Sequence, residues 1–204
     1  MITIGLTGGI ASGKTLVSQM LEKHGAKVVD VDRVAHETYR AGSPGFERLR
    51  AAFGDQVVGP DGEIDRRVLG GLVFGRPEEM KKLTDIVWPL TRARLEAMKA
   101  EEEGRTRVLV FEAAVLIEAG WTDLVDEVWV VSVPVEVARE RLMARNGITA
   151  EQADARIGSQ LTNEERVRHA VVTIDNSGSI ADLERRVAEA WDALEARAAG
   201  GARA

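Results

Sequence analysis

The segment Gly8–Thr15 constrains the fold and the chemistry of this chain more than any other feature. It reads GGIASGKT and fits the pattern G-x-x-x-x-G-K-[ST] at every fixed position. It follows an apolar run at Ile2–Leu6 and precedes Leu16–Lys23, where apolar residues recur at helical spacing. A strand, a glycine-rich turn and a helix in this order predict a phosphate-binding loop, because the N–H groups of the turn and the positive end of the helix dipole converge on one point.

Two side chains of this phosphate loop (Gly8–Thr15) have defined expected roles. Lys14 is expected to reach the β- and γ-phosphates of ATP, and the hydroxyl of Thr15 is expected to ligate Mg²⁺. The expected ATP-binding residues here are Gly8, Gly9, Ala11, Ser12, Gly13, Lys14, Thr15 and Leu16. The alternative, a glycine-rich turn that contains Lys-Thr by coincidence, is disfavoured by the flanking strand and helix.

Composition excludes several other classes of protein. The 204 residues are 45% apolar, which suits one well-buried α/β domain, and there is no cysteine, so disulfides and thiolate zinc sites are excluded. The net charge of −6 argues against general nucleic-acid binding. Because the N-terminus reads as a strand rather than a leader, and no apolar run is long enough for a membrane helix, we expect a cytoplasmic protein without a membrane partner.

Strand-like and helix-like segments alternate along the chain, which predicts a parallel sheet covered on both faces. The expected strands are Ile2–Leu6, Lys27–Val31, Val108–Phe111, Glu127–Val133 and Val171–Ile174. Runs such as VLVF and VWVVSV are apolar on both faces, as buried parallel strands are. The fold class is therefore α/β of the P-loop NTPase type, a three-layer α/β/α structure with a five-stranded parallel sheet.

A long stretch without a clear strand, residues 39–104, separates the second expected strand from the third. It holds expected helices at Phe46–Phe53 and Glu78–Glu102, with turn-rich pieces at Ala41–Gly45 and Gly59–Gly62. We expect a helical insertion that builds a substrate site, although a helical layer without such a role remains an alternative. The core is then about 1–38 and 105–198 of a single domain, 1–204.

The segment after the fourth strand predicts a series of helices. Pro134 suits a first helical turn, followed by a helix at Val135–Arg145. Thr149–Gln152 and Thr162–Glu165 fit the capping box, so each predicts a helix start. Leu183–Arg197 is the expected final helix. We expect a lid at about 139–165.

Two carboxylates close the second expected strand, in the sequence Val29-Asp30-Val31-Asp32. Ligands of open parallel sheets bind beyond the carboxyl ends of the strands, so both are candidates for the site. Phosphorylation of an alcohol needs an acceptor for the hydroxyl proton, and Asp32 is the candidate. Asp30 is a candidate contact to metal or loop. The alternative is that both carboxylates cap the next helix.

Three arginines mark the expected lid: Arg139, Arg141 and Arg145. Arg141 and Arg145 share a helical face, and arginines on a lid stabilise the charge of a transferring phosphoryl group. The alternative is a solvated charged face paired with nearby glutamates. Asn176, in the sequence Ile-Asp-Asn-Ser-Gly, either reads adenine or builds an Asx turn. The guanine-reading motif Asn-Lys-x-Asp does not occur, so a small-molecule kinase is favoured over a GTPase.

Over nearly its whole length the sequence resembles the bacterial dephospho-CoA kinase family. The segments that carry the resemblance are LTGGIASGKT, VDVDRVAHE, DGEIDRRVLGGLVF, WPLTRARL, RLMARNGITAEQADARIGSQ and IDNSGS. The resemblance implies transfer of the ATP γ-phosphoryl group to the ribose 3′-hydroxyl of dephospho-CoA, with Mg²⁺ as cofactor. It also implies that the helical insertion binds the CoA moiety, and the monomer is the favoured state.

The resemblance assigns roles to residues of this sequence. It implies catalytic roles for Asp32, Lys14 and Arg141, ATP contacts at Arg145 and Asn176, and substrate contacts at Asp32, His36, Arg66 and Glu112. Which of Asp30, Asp32 and Glu112 contacts Mg²⁺ through water stays open.

The sequence departs from the family pattern at several positions. Ala11 stands where glycine is usual, so this residue either avoids positive φ or accepts strain. Trp88 replaces a histidine, Ala114 a proline and Val171 an aspartate, while Glu112 keeps a carboxylate that is longer by one methylene. Two rival interpretations remain: a P-loop kinase with another acceptor, and a nucleotide-binding regulator without turnover.

Overall fold

The computed structural model describes residues 1–201, so the last three residues of the expected domain lie outside the described range. Five strands form one sheet in the order β2-β3-β1-β4-β5. They are β1 (Ile2–Gly8), β2 (Lys27–Asp30), β3 (Val108–Glu112), β4 (Glu127–Ser132) and β5 (Val172–Asp175). The predicted five-stranded parallel sheet is confirmed, as is the three-layer α/β/α class.

The pairing of β1 fixes which residues meet at the carboxyl edge of the sheet. β1 is central and pairs in parallel with β3 on one side and β4 on the other. In this register Leu6 lies opposite Glu112, and Gly8 lies opposite Val131. The end of β1 therefore places the phosphate loop beside Glu112, because parallel strands end at the same edge.

α-Helices follow four of the strands in the described chain, whereas a loop with a short 3-10 turn connects β3 to β4. The helices are α1 (Lys14–Lys23), α2 (Val31–Glu37), α3 (Pro44–Phe53), α4 (Arg66–Val73), α5 (Pro77–Glu102), α6 (Val135–Asn146), α7 (Ala150–Ile157), α8 (Asn163–Val167) and α9 (Ile180–Gly201). Both predicted capping boxes are present: Thr149 with Gln152 begins α7, and Thr162 with Glu165 begins α8. No helix among the described residues is long and apolar enough to cross a membrane.

The chain divides into two compact units. The first comprises Met1–Val29 and the residues from Glu102 onward, and it contains the sheet apart from Asp30, the last residue of β2. Its main core packs α1 and α9 against the sheet through residues such as Leu21, Trp129 and Trp191. Burial of these large apolar side chains is the main stabilising term for the unit.

The second unit, Asp30–Glu101, is helical and has its own core. Phe46, Leu49, Val57 and Leu69 belong to that core. The unit begins earlier than the expected insertion at residue 39, because α2 belongs to it.

The start of α2 corrects the sequence analysis. Val31 was expected to end the second strand, but the strand ends at Asp30 and Val31 begins the helix. The side chain of Asp30 accepts a hydrogen bond from Arg33 N at 3.0 Å, so Asp30 is the N-cap. The capping alternative is therefore correct for Asp30, whereas Asp32 lies in the first turn.

Candidate active site

The phosphate loop joins β1 to α1, and two of its glycines are required by close contacts. A Cβ on Gly8 would lie 2.3 Å from the carbonyl oxygen of Val131, and a Cβ on Gly13 would lie 2.3 Å from Nδ2 of Asn176. Gly13 also has a φ of 91°, which side chains disfavour. The expected ATP-binding residues of this region all lie in the loop or in the first turn of α1: Gly8, Gly9, Ala11, Ser12, Gly13, Lys14, Thr15 and Leu16.

Ala11 has a φ of 59°, and it is the one non-glycine residue with positive φ in the described part of the chain. The sequence left open whether this position avoids positive φ or accepts strain, and the structure shows that it accepts strain. A left-handed alanine costs roughly 1–2 kcal/mol relative to a right-handed one.

Replacing Ala11 by glycine is therefore expected to stabilise the protein by about 0.5–1 kcal/mol, since relief of strain exceeds the entropy that glycine adds to the unfolded chain. The measurement is the free energy of unfolding in urea. Ala41→Gly is the matched control, because Ala41 is an exposed loop residue without positive φ and should lose stability on the same change. Destabilisation by Ala11→Gly would contradict the strain argument.

A carboxylate of β3 holds the first turns of α1. The Thr15 hydroxyl donates to Glu112 Oε1 at 2.8 Å, and the Ser18 hydroxyl donates to Glu112 Oε2 at 2.7 Å. Lys14 Nζ lies 2.9 Å from the carbonyl oxygen of Gly8. The sequence analysis missed Ser18, although its place one helical turn after Thr15 puts both hydroxyls on the same face of α1.

Asn176 supports the phosphate loop from the end of β5. Its side-chain amide donates to the carbonyl oxygen of Ser12 at 2.8 Å, and the residue is only 6% exposed. The Asx turn at this place is formed by Asp175, whose carboxylate accepts from Ser177 N at 3.0 Å. The side chain of Asn176 therefore contacts loop backbone rather than building the turn. Arg141 Nη2 in turn donates to the backbone oxygen of Asn176 at 2.9 Å.

The other two arginines of the expected lid point to different partners. Arg139 Nε donates to Asp154 Oδ1 at 2.5 Å and so connects α6 to α7. Arg145 is exposed, and its Nε donates to Asn146 Oδ1 at 3.0 Å. Arg141 is thus the lid arginine that the structure connects to the loop, through Asn176.

The segment Gly158–Asn163, which leads from α7 into α8 and is here named the return segment, also contacts the loop. Gln160 Oε1 accepts a hydrogen bond from Ile10 N at 2.8 Å. Asn163 Nδ2 donates to the carbonyl oxygen of Val133, just beyond β4, at 2.7 Å. The sequence analysis assigned no role to Gln160.

An ion pair between a buried arginine of α8 and a partly exposed glutamate follows the return segment in sequence. Arg166 is 0% exposed, and its Nη2 lies 3.0 Å from Glu118 Oε1. Among the described residues, Arg166 Nε and Nη1 and Glu118 Oε2 have no hydrogen-bond partner. Removal of Glu118 would leave the charge of Arg166 buried without its partner, which strongly disfavours the folded state, whereas the side chain of Glu118 is itself 23% exposed. The pair therefore joins α8 to the segment that follows β3.

The expected substrate-binding residues Asp32, His36 and Arg66 lie together in the second unit. Arg66 Nη1 lies 3.0 Å from Nδ1 and 3.3 Å from Nε2 of His36. Arginine can only donate, so the ring is neutral in this contact. Burial lowers the pKa of His36 and the charge of Arg66 lowers it further, while Asp32 and Asp30 act in the opposite direction. The ring of Tyr39 stands edge-on to His36.

The lowered pKa of His36 predicts a pH dependence of stability. Above the unfolded pKa of about 6.5 the histidine is neutral in both states, so it contributes no slope there. As the pH falls below this value the unfolded chain binds the proton first, and stability falls until the folded pKa is passed.

His36→Asn should therefore flatten the loss of urea stability between pH 7 and pH 5. His169→Asn makes the same substitution at an exposed site in the other unit, and it supplies the control profile. An unaltered slope in the His36 variant would contradict this account.

A comparison with protein-family models matches residues 2–182 to the family described as Dephospho-CoA kinase. Among curated proteins, a dephospho-CoA kinase of Geobacter sulfurreducens is 45% identical over 192 residues, which is 94% of this chain and 98% of the relative. Both comparisons extend across nearly all of the described elements.

Two solved structures superpose on nearly the whole chain. A protein from Thermus thermophilus superposes with a TM-score of 0.78 at 36% identity, over 96% of this chain and 97% of that one. A dephospho-CoA kinase from Campylobacter jejuni superposes with a TM-score of 0.70 at 28% identity, over 94% of this chain and 96% of that one.

Proposed function

The chain belongs to the dephospho-CoA kinase family, and from that premise we propose how its residues perform the family reaction. The reaction transfers the γ-phosphoryl group of ATP to the ribose 3′-hydroxyl of dephospho-CoA and gives CoA and ADP. The observation that carries the proposal is the geometry of the phosphate loop. Lys14 Nζ lies at the carbonyl oxygen of Gly8, and the hydroxyl of Thr15 donates a hydrogen bond to Glu112.

The loop binds the triphosphate of ATP through its N–H groups and the first turn of α1. Lys14 adds a positive charge, which stabilises the β- and γ-phosphates as negative charge moves during transfer. Asn176 and the return segment hold the loop backbone from outside, so the donors are in place before ATP binds.

Thr15 and Glu112 fit a magnesium ion. The Thr15 hydroxyl donates its hydrogen bond to Glu112, so the lone pairs of its oxygen are available to a metal. Among the described residues no group of three or more His, Cys, Asp or Glu side chains could hold a metal by itself. That fits Mg²⁺, which commonly takes one or two protein oxygens and completes its shell with phosphates and water. When bound, the ion neutralises charge on the β- and γ-phosphates. Thr15 is the proposed direct ligand, and Glu112 holds the ion through water.

The acceptor is bound and activated by residues of the second unit. Asp32 accepts the proton of the 3′-hydroxyl as the oxygen attacks phosphorus, a role that suits a carboxylate in the first turn of α2. Arg66 and the neutral His36 beside it bind an anionic and a polar group of the acceptor, respectively. The helical unit is thereby a substrate-binding element.

Two arginines and Asn176 are the remaining proposed contacts of ATP. One N–H group of the Arg141 guanidinium donates to the backbone oxygen of Asn176. Its other N–H groups donate to the transferring phosphoryl group. Arg145, exposed on the same helix, contacts ATP when the lid closes over it. Asn176, fixed against Ser12, lies at the edge of the nucleotide site.

The proposed enzyme is cytoplasmic and acts as a monomer without a nucleic-acid or membrane partner. The absence of cysteine suits a reducing compartment.

ADP release measured with a panel of acceptors tests the proposal. Dephospho-CoA should support turnover, whereas a nucleoside, a nucleotide and a sugar acid should not. Turnover with one of the other acceptors alone would establish a different kinase. ATP binding without acceptor-dependent ADP release would favour a regulatory protein.

A further inference from the structure

We propose that Gln160 binds the terminal phosphate of ATP, with its carboxamide oxygen held by Ile10 and its NH₂ group donating to a γ-phosphate oxygen. The inference rests on the proposed function only in taking ATP as the nucleotide. It adds a neutral donor from the return segment to the charged groups already assigned.

The contact with Ile10 fixes the orientation of the Gln160 side chain. The N–H group of Ile10 is a donor, so the atom that it contacts at 2.8 Å is the carboxamide oxygen and not the nitrogen. The NH₂ group of Gln160 therefore faces away from Ile10 N, and it makes no hydrogen bond to any residue in the range 1–201. A fixed donor without a protein partner beside a phosphate loop is suited to an anionic ligand.

Gln160 also lines a cavity that the phosphate loop bounds. The cavity has a volume of about 200 Å³, and Gly9, Ile10 and Ser12 form one side of it. Val133 and Leu161 contribute apolar surface to the other walls. A hydrogen bond made there is stronger than one in bulk water, because the surroundings screen it less.

The position at which Gln160 contacts the phosphate loop indicates that it binds the terminal phosphate rather than the α-phosphate. Lys14, which is expected on the β- and γ-phosphates, has its Nζ 2.9 Å from the oxygen of Gly8. The β,γ end of the nucleotide should therefore lie over Gly8–Ile10, the strand side of the loop. Gln160 contacts that side, and its Oε1 would lie 4.0 Å from a Cβ on Gly9.

The return segment holds Gln160 in place at little entropic cost. Asn163 attaches the segment to Val133, and the capping box of Thr162 begins α8 at the end of the segment. The ion pair of Arg166 with Glu118 attaches α8 to the segment after β3. Because these contacts already order the backbone, binding needs to immobilise only a side chain that Ile10 also restrains.

The variant Gln160→Glu tests the NH₂ donor of the side chain separately from the oxygen that accepts from Ile10. Glutamate keeps an oxygen for Ile10 N–H but replaces the NH₂ donor with a negatively charged oxygen. ATP affinity should fall at least about tenfold, whereas ADP affinity should stay within about twofold, because ADP lacks the γ-phosphate. Gln160→Met removes both ends without adding charge, and it should lower the ratio of ATP to ADP affinity by a smaller factor. Equilibrium titration with each nucleotide and Mg²⁺ gives both affinities.

Gln152→Glu is the matched control. Gln152 lies on the same lid, is exposed and accepts from Thr149 N in the capping box, a role that glutamate also fills. It therefore makes the same change of charge away from the loop, and its ATP to ADP ratio should equal that of the wild type.

Two outcomes would overturn the inference. If Gln160→Glu bound both nucleotides as the wild type does, Gln160 would merely support Ile10. If both Gln160 variants lost ATP and ADP equally, the residue would serve loop stability alone. The readout is binding and not turnover, so a failure of the proposed kinase reaction would appear separately, as absence of acceptor phosphorylation by the wild type. The Met variant gives the ratio should the Glu variant fail to fold.

Discussion

Lys14→Ala is expected to reduce kcat by roughly 10²- to 10³-fold, the effect of removing one preorganised group that stabilises transition-state charge. Its ammonium lies at the oxygen of Gly8 within the loop, where the β- and γ-phosphates are expected. Since the phosphate loop contains no second lysine, no other residue of the loop replaces the lost positive charge. Steady-state kinetics with saturating ATP and dephospho-CoA measure the change.

A measurement of the stability of Lys14→Ala distinguishes a loss of catalysis from a loss of the folded state. Lys14 is only partly buried, so its removal should cost about 1 kcal/mol and lower the melting temperature by about 2–4 °C. Lys23→Ala, at the exposed far end of α1, removes the same charge and should leave kcat unchanged. Full activity in Lys14→Ala would show that the phosphate site has been placed wrongly.

Asp32→Asn is expected to lower kcat by about 10²- to 10⁴-fold, the usual contribution of a general base. The amide keeps the size of the side chain but no longer accepts the proton of the 3′-hydroxyl. The KM for ATP should change little, because the role concerns the acceptor. Kinetics with each substrate varied in turn measure the two effects separately.

Asp30→Asn is the matched control for this prediction. Asn is as good an N-cap as Asp, so the hydrogen bond from Arg33 N should persist and α2 should keep its start. The variant should retain most of its activity. The reverse pattern, with Asp30→Asn inactive, would make Asp30 the base. A loss of ATP binding in Asp32→Asn would instead make Asp32 a nucleotide or metal contact.

The sequence predicts the strands and helix starts well where they depend on residues close together in the chain. Each strand was located because its apolar run is bounded by turn residues, and the helix starts at Thr149 and Thr162 follow from residues three positions apart. The family resemblance is confirmed by the family model. Helix α4 was missed because two glycines weaken its helix propensity, although Asp65 gave an N-cap signal.

The supporting contacts of the site could not be predicted because they join distant parts of the chain. Glu112 meets Thr15 across 97 positions, Gln160 meets Ile10 across 150, and Asn176 meets Ser12 across 164. Spacing along the sequence gives no information about such pairs. Only the sheet order, with β1 between β3 and β4, brings the first of them together.

The position of the new phosphate in the product tests the central claim most directly. The purified chain is incubated with ATP, Mg²⁺ and dephospho-CoA, and the product is assigned by ³¹P NMR and mass spectrometry. We predict CoA, phosphorylated at the ribose 3′-oxygen, in equal amount to ADP. No 3′-phosphorylated product, or a phosphate on another oxygen, would contradict the account.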